Sequence, residues 1–148
     1  LITEGIISEY KKGKSKASLA KSAPLSIHLS HDTTIYVGKN NRQNDLVTFT
    51  IAKPHDLWFH TKGFPGSHVV LKTSLSKPTD AEITTAANLA AYFSKARNSS
   101  NVPVDCTEKR FVKKPSGAKP GFVIYTNQQT IYITPDHAAI ENIISRHE

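Results

Sequence analysis

The chain has 148 residues, the length of one domain with room for a hydrophobic core. Its apolar runs are far shorter than the roughly 18 residues of a membrane span, and its first residues lack the pattern of a secretory signal, so we expect no membrane partner. The chain begins without Met and contains none, so we interpret it as a piece of a longer protein. Its single cysteine, Cys106, excludes an internal disulfide and indicates a reducing compartment.

The net charge of +7 is concentrated in two segments. Residues 1–22 hold five lysines against two glutamates, and residues 109–119 hold five cations without an acidic residue, so the remainder is nearly neutral. Basic blocks suit a polyanion such as nucleic acid, although lysines also serve solubility alone. We favour solubility for residues 11–21 and binding for residues 109–119.

The first 22 residues predict the end of a helix followed by a linker. Ile2, Ile6 and Ile7 fall at helical spacing, and a Lys/Ser-rich stretch surrounds Gly13. We therefore place a domain boundary near Ala23-Pro24, which leaves a domain over residues 23–148.

Short strands separated by turn signals follow this boundary. Alternating or β-branched residues predict the first group of strands at 25–29, 33–38, 46–52, 57–60 and 67–72. A second group is predicted at 102–106, 110–112, 122–125 and 130–133, with the last two strands forming a hairpin around residues 127–129. Several short strands with turns between them indicate antiparallel pairing.

One long helix is predicted over about residues 79–98. Thr79 and Glu82 have the spacing of a capping box, and an alanine-rich apolar stripe follows them at helical spacing. A short closing helix is predicted at residues 138–145. The predicted fold class is α+β, a mainly antiparallel sheet of short strands packed with one long helix.

A run of seven polar or charged residues, Lys39–Asp45, lies between the predicted strands at 33–38 and 46–52. A hairpin turn needs only about two to five residues. Side-chain amides and guanidinium groups hydrogen-bond phosphates and base edges, so this stretch is a candidate nucleic-acid-binding loop. A solvated turn rich in Asn is the alternative.

The segment Trp58–His68 is a second candidate. On a strand, Trp58 and His60 share one face, and across a hairpin His60 lies close to His68. Trp58 and His60 would offer a stacking platform for bases, with burial of Trp58 in the core as the alternative. His60 and His68 with Asp56 form a possible acid–base or metal set, but no nucleophile–base, metal or nucleotide-binding motif accompanies them.

The basic segment Lys109–Lys119 is the third candidate. Its lysines and arginine flank a turn of Gly, Pro and Ser between predicted strands. A cationic loop of this kind can straddle a phosphate backbone, and Ser116 adds a hydrogen-bonding group.

Four motifs, in order along the chain, resemble one known family. They are VGKNNRQND at Val37–Asp45, DLWFHTKGFPGSHVVL at Asp56–Leu71, AANLAAYFSKARNSSNVPVDCT at Ala86–Thr107 and KKPSGAKPGFVIY at Lys113–Tyr125. Together they resemble NFACT-R, the C-terminal RNA-binding domain of the RqcH/NEMF ribosome quality control family. Bacterial members of that family have long been called fibronectin- or fibrinogen-binding proteins. The resemblance covers residues 25–135, and Cys106 stands where the family often has an aromatic residue.

The resemblance implies a non-catalytic RNA-binding module of a cytoplasmic protein that acts in ribosome-associated quality control. Its partners would be tRNA, the large ribosomal subunit with an obstructed nascent chain, and the remaining domains of the full-length protein. Bacterial members recruit alanyl-tRNA and add alanine tails. Residues 1–22 would then be the end of a coiled-coil region and its linker.

The residues expected to contact RNA come from the chemistry of the three stretches and not from the resemblance. They are cations, side-chain amides and ring-bearing residues: Lys39, Asn40, Asn41, Arg42, Gln43, Asn44, Asp45, Trp58, His60, Lys62, Ser67, His68, Arg97, Lys109, Arg110, Lys113, Lys114 and Lys119. We predict no cofactor, metal site or catalytic residue. Two alternatives stay open: a metal-dependent nuclease or phosphohydrolase using His60, His68 and Asp56, and an adhesin that binds fibronectin.

Overall fold

The structure is a computed structural model that describes residues 23–146, so the prediction for residues 1–22 lies outside the described residues. The strands in this range are β1 Leu25–His28, β2 Thr33–Val37, β3 Leu57–Thr61, β4 Val69–Thr73, β5 Val102–Glu108, β6 Val112–Lys113, β7 Ile124–Tyr125 and β8 Gln129–Ile133. The helices are α1 Asn41–Asp45, α2 Asp80–Tyr92 and α3 His137–Ser145, with a π-helical segment at Leu46–Ile51 and a 3-10 turn at Lys109–Phe111. None of these helices is long and apolar enough to cross a membrane.

Six of the strands form one antiparallel sheet in the order β1-β2-β4-β3-β5-β8, and β6 and β7 form a separate two-stranded ribbon. The register places Phe59 opposite both Val69 and Cys106, and His60 opposite Asp105. The α+β prediction, with a mainly antiparallel sheet of short strands, is confirmed.

Helix α2 covers one face of the sheet. Four of its alanines, Ala86, Ala87, Ala90 and Ala91, are fully buried in the same cluster as Phe59 and Leu71, because a methyl side chain lets a helix approach a sheet closely. The predicted capping box is present: Thr79 Oγ1 accepts a hydrogen bond from Glu82 N at 3.1 Å, and Glu82 Oε1 accepts one from Thr79 N at 2.9 Å.

Helix α2 ends at Tyr92, six residues before the predicted end at residue 98. The chain leaves the helix to bond with the turn between β3 and β4. Phe93 O accepts a hydrogen bond from Ser67 N at 3.0 Å, and Lys95 N donates one to Pro65 O at 2.9 Å. These tertiary bonds bring the C-terminal end of α2 to the end of the sheet that carries the β3–β4 turn.

The opposite face of the sheet packs against a second apolar cluster. Trp58 and Val70 of the sheet pack with Val47 from the π-helical segment, with Ala52 directly after that segment and with Val112 from the ribbon, and all five are buried. The sheet therefore lies between α2 on one face and the π-helical segment with the β6–β7 ribbon on the other.

The predicted strand at 46–52 is wrong. The alternation of apolar residues there is typical of a strand, but Asn40 Oδ1 accepts a hydrogen bond from Gln43 N at 2.9 Å and caps α1. The helical winding then continues to Ile51, so that neighbouring Val47 and Thr48 are both buried. The stretch Lys39–Asp45 therefore contains the N-cap and all of helix α1, and it is not a hairpin loop.

The predicted hairpin of residues 122–133 is also wrong. β7 pairs with β6 in the ribbon, whereas β8 pairs with β5 in the main sheet. Much of the predicted strand at 110–112 is the 3-10 turn at Lys109–Phe111. Local strand propensity does not determine which strands pair, so these errors arose where tertiary pairing decides the structure.

Candidate nucleic-acid interface

Two of the three candidate stretches, Lys39–Asp45 and Trp58–His68, meet around two adjoining clefts. The first cleft, of about 460 Å³, is lined by α1, by the turn between β3 and β4, and by residues 121–125. The second cleft, of about 570 Å³, is lined by Lys39 and α1, by the same turn, and by the C-terminal end of α2. The two clefts share Asn41, Asn44, Pro65 and Gly66, so they form one continuous hollow, called here the concave surface.

Helix α1 is fixed to the sheet by two of its amide side chains. Asn44 Oδ1 accepts a hydrogen bond from His68 N at 3.0 Å, and Gln43 Oε1 accepts one from Lys39 N at 2.8 Å. A Cβ atom on Gly38 would lie 2.3 Å from Asn44 Oδ1, so only glycine permits this approach. Gln43 and Asn44 are 3% and 5% exposed, so little of either side chain is available for the predicted direct contacts with RNA. Their role is to position α1.

Asp45 ties the basic loop to α1. Its Oδ1 accepts a hydrogen bond from Gly121 N at 2.9 Å, and its Oδ2 lies 3.1 Å from Lys114 Nζ. Lys114 Nζ also donates to Lys119 O at 2.8 Å. Both charged side chains are thus committed to holding residues 114–121 against α1.

Trp58, Thr48 and His68 form a buried hydrogen-bonded chain beneath the first cleft. Trp58 Nε1 donates to Thr48 Oγ1 at 3.1 Å, and the same hydroxyl lies 2.9 Å from His68 Nδ1. Because the hydroxyl oxygen already accepts from the indole, its hydrogen is available to donate to an unprotonated Nδ1. Trp58 is fully buried, so the predicted stacking of its ring on bases is wrong. His68 lines the first cleft and Ser67 the second, but they are only 2% and 8% exposed, so each offers little surface for the predicted contacts.

His60 lines the first cleft and meets His68 as predicted, with ring centroids 5.4 Å apart. Burial lowers the pKa of His60, and the nearby Asp105 carboxylate only partly opposes this. Burial, and next the neighbouring His60, lower the pKa of His68 to about 3. Both rings are therefore neutral near pH 7, and the floor of the first cleft carries no histidine charge.

Asp105 lies beside this floor and is satisfied by neighbouring side chains. Tyr125 Oη donates to Asp105 Oδ2 at 2.6 Å, and Thr130 Oγ1 donates to Oδ1 at 2.7 Å. Lys62 Nζ is 3.8 Å from Oδ1, although the Lys62 side chain is 53% exposed. Lys62 follows β3 directly, so it lies at the end of the sheet that carries the first cleft.

Three exposed cations line the second cleft: Lys39, Lys95 and Arg97. The Arg97 guanidinium carbon lies 4.2 Å from the centroid of the Tyr92 ring, which holds this side chain at the rim. Asn40, the N-cap of α1, lines the same cleft, whereas Arg42 is exposed on α1 and lines neither cleft. Sequence reasoning missed Lys95. Its signal was the position two residues before Arg97, beyond the end of the apolar stripe.

Lys109 and Arg110 do not join the concave surface. Lys109 N donates to Asp56 O at 2.8 Å and Arg110 N to Pro54 O at 3.0 Å, which places both residues where β3 begins, at the opposite end from His60. Arg110 Nε is also 2.6 Å from Glu108 Oε1. Their grouping with the other predicted contacts is wrong, because the 3-10 turn carries them to the far end of the sheet.

Lys113 and Lys119 lie on the basic loop but outside the two clefts. Lys113 is exposed on β6, and Val112, its neighbour on the strand, is buried, so alternation points Lys113 away from the apolar cluster. Lys119 lines a separate hollow of residues 115–119 that also includes Phe122. Since Phe122 lines the first cleft as well, Lys119 is adjacent to it.

The histidine–carboxylate set suggested for catalysis is not assembled. Asp56 forms an ion pair with Lys72 and accepts a hydrogen bond from Lys53 N at 2.7 Å, at the far end of β3 from His60 and His68. Within residues 23–146, no three His, Cys, Asp or Glu side chains are grouped to hold a metal ion.

Two exposed aromatic residues on the walls of the first cleft were missed by sequence reasoning. Phe64 is 39% exposed and Phe122 is 61% exposed. Phe64 follows Gly63, whose positive φ of 77° forms a tight turn, and Thr61 Oγ1 donates to Phe64 O at 2.9 Å. The signal available in the sequence was a single aromatic residue next to Gly in each of two turn-forming segments.

Comparisons with known proteins agree with the resemblance. The model of the NFACT protein RNA binding domain matches residues 26–127. The Rqc2 homolog RqcH of Bacillus subtilis (strain 168) is 50% identical over 128 residues, which cover 86% of this chain and 22% of that protein. The Rqc2 homolog RqcH of Streptococcus pneumoniae serotype 2 (strain D39) is 46% identical over 145 residues, 97% of this chain and 25% of that protein.

A solved structure is similar as well. The C-terminal part of the fibronectin/fibrinogen-binding protein from Streptococcus suis matches with a TM-score of 0.75 and 48% identity, covering 85% of this chain and 50% of that chain. The chain spans about a quarter of the length of the curated relatives it matches. The family match covers most of the folded sheet and all of the concave surface. The chain belongs to the family of NFACT protein RNA binding domains.

Proposed function

We propose that this chain is a non-catalytic RNA-binding module and that its concave surface is the RNA-binding site. The observation that carries this proposal is the placement of Lys39, Lys95 and Arg97 around one cleft that opens into an uncharged neighbour. Cations around a groove neutralise backbone phosphates, and an uncharged polar hollow beside them suits bases or ribose. Membership of the RNA-binding family supports the same conclusion.

We further propose that the module works within an RqcH-like protein. In this proposal the full-length protein binds tRNA and the large ribosomal subunit with an obstructed nascent chain, in the cytoplasm, and assists alanine tailing. Two relatives that carry the name Rqc2 homolog RqcH support this role. The concave surface would contribute phosphate contacts, while the remaining domains of the protein would supply further contacts. Residues 1–22 would belong to the coiled-coil region and residues 23–148 to the RNA-binding domain.

The direct test is binding of fluorescently labelled tRNA to the 148-residue chain over a range of KCl concentrations. Three phosphate contacts predict that log K falls with log salt with a slope of about −2 to −3. Lys39→Ala/Lys95→Ala should weaken binding and reduce the steepness by about 1.4 to 1.8. The tRNA should stay intact when divalent metal ions are added.

A matched control removes the same charge from the far end of the sheet. Lys53 and Lys77 are both exposed and lie near the start of β3 and in the segment after β4. Lys53→Ala/Lys77→Ala should leave the slope unchanged. Binding that does not depend on salt, absence of binding, or an equal effect of the two double variants would contradict the proposed site.

The name of the Streptococcus suis protein raises fibronectin or fibrinogen binding as a second candidate. Competition between tRNA and fibronectin for the chain distinguishes the two candidates. If the concave surface binds RNA, tRNA should displace any weak binding of the chain to immobilised fibronectin at physiological salt. Saturable fibronectin binding that tRNA does not displace would favour the second candidate.

A further inference from the structure

The first cleft has the size of a ligand pocket and carries exposed aromatic residues on its walls. Its volume of about 460 Å³ lies in the usual range of ligand pockets, roughly 300–1,000 Å³. Its walls include Phe64 and Phe122, residues that are 39% and 61% exposed to solvent. Exposed phenylalanine rings on the wall of a hollow are available for stacking, and every nucleobase has a face that can stack on them.

The polar groups of this cleft suit a base edge better than a phosphate. His60 and His68 carry no charge near pH 7, as described above, and Lys114 is paired with Asp45. Asn41 is exposed on α1 and lines both clefts. Its amide offers one acceptor and two donors, the groups that base edges pair with.

The second cleft supplies the charge that the first one lacks. Lys39, Lys95 and Arg97 surround it, and it joins the first cleft at Asn41, Asn44, Pro65 and Gly66. An RNA strand whose phosphates lie along the second cleft can direct one base past Asn41 into the first cleft. A base held in a duplex is stacked and paired, so only an unpaired nucleotide can enter.

We propose that the first cleft binds a single unpaired nucleobase, stacked on Phe64 or Phe122 with its edge on Asn41, while the second cleft holds the adjoining phosphates. The ligand class is therefore RNA with an unpaired nucleotide, such as a bulge, a loop or an end. This inference rests on the proposed RNA binding, because the phosphate contacts in the second cleft are the same.

The test uses an RNA hairpin with a one-nucleotide bulge of 2-aminopurine, compared with the same hairpin carrying an abasic bulge and with a fully paired hairpin. The 148-residue chain should bind the 2-aminopurine hairpin roughly five- to 100-fold more tightly than the abasic one. The fluorescence of 2-aminopurine, which changes on stacking, should change on binding. Phe64→Ala/Phe122→Ala should bind the base-bearing and abasic hairpins alike, with the salt dependence retained.

Tyr132→Ala is the matched control, because Tyr132 is 68% exposed on β8 and lines neither cleft. It should keep the preference for the base-bearing hairpin. Salt-dependent binding of all three hairpins by the unaltered chain with equal affinity would overturn the base-binding inference and leave the proposed RNA binding intact. Binding to none of the RNAs would overturn both.

Discussion

Mild acid should destabilise this domain through His68. The ring is 2% exposed and its Nδ1 lies 2.9 Å from the Thr48 hydroxyl, which already accepts from Trp58. Burial, and next the neighbouring His60, lower the pKa of His68 to about 3 from its ordinary value of 6.5. Lowering the pH therefore perturbs a single buried hydrogen-bonded chain beneath the first cleft.

The size of this loss of stability follows from the difference in proton binding by His68 between the folded and the unfolded chain. The unfolded chain takes up a proton on this residue below pH 6.5, whereas the folded chain stays neutral until about pH 3. Stability is therefore complete above pH 6.5 and is lost as the pH falls towards 3. Between pH 7.5 and pH 5.0 the loss from His68 is about 2 kcal/mol, since each pH unit below the unfolded pKa contributes about 1.4 kcal/mol. His60 has a lowered pKa too, for the same main reason, and acts in the same direction.

The assay is urea unfolding of the 148-residue chain at pH 7.5 and pH 5.0, with His68→Asn and His31→Asn as variants. His68→Asn should be less stable at pH 7.5, but its loss between the two pH values should be smaller than that of the unaltered chain by about 2 kcal/mol. His31 is exposed, so His31→Asn should keep the full loss. Equal losses for the unaltered chain and His68→Asn would refute the conclusion that His68 is held neutral.

Three further predictions concern the framework of the fold. Gly38→Ala should cost about 1–3 kcal/mol or more in urea unfolding, because the new Cβ would meet Asn44 Oδ1 at 2.3 Å; an unchanged midpoint would contradict this close approach. Thr79→Ala should cost about 1 kcal/mol by removing the cap that binds Glu82 N, while Thr79→Ser should cost less; equal costs would exclude capping. Partial burial raises the pKa of the Cys106 thiol to about 12, so iodoacetamide should label it slowly until urea unfolds the chain. Rapid labelling of the folded chain would contradict that burial.

The elements that sequence predicted well are those with a strong local signal. The capping box of Thr79 and Glu82 located the start of α2, and alternation or β-branched content located β1, β2 and β3. The end of α2 was predicted too late because tertiary bonds, such as that from Ser67 N to Phe93 O, stop the helix. Interactions of that kind leave no periodic pattern in the sequence.

The largest error, the strand at 46–52, shows how a helix can be missed. The alternating apolar residues there predicted a strand, yet a capped turn at Asn40 starts α1 and the winding continues through Val47 and Thr48. Because Asn suits turns and helix caps equally well, composition could not separate the two. This error also affected the predicted site. The polar stretch Lys39–Asp45 is partly buried, and its Gln43 and Asn44 hold α1 in place.

The meeting of Lys39–Asp45 with Trp58–His68 and with the end of the basic loop depends on contacts between residues that are far apart in the sequence. Asp45 joins Gly121 across 76 positions of the chain, and the His68 amide reaches Asn44 across 24. Such long-range bonds depend on strand order, which local patterns do not specify, so the sequence could suggest this convergence without establishing it. For the same reason Lys109 and Arg110, grouped with the basic loop by their position in the sequence, lie at the other end of the sheet.

RNA should bind to the concave surface and not to the end of the sheet that carries Lys109 and Arg110. The decisive measurement is titration of the ¹⁵N-labelled chain with tRNA, followed by amide chemical shifts. We expect the largest shifts in residues 39–45, 62–67 and 94–97, with little change in residues 53–56 and 74–78. Largest shifts in residues 53–56 and 108–111, with residues 39–45 and 62–67 unaffected, would contradict this placement of the RNA.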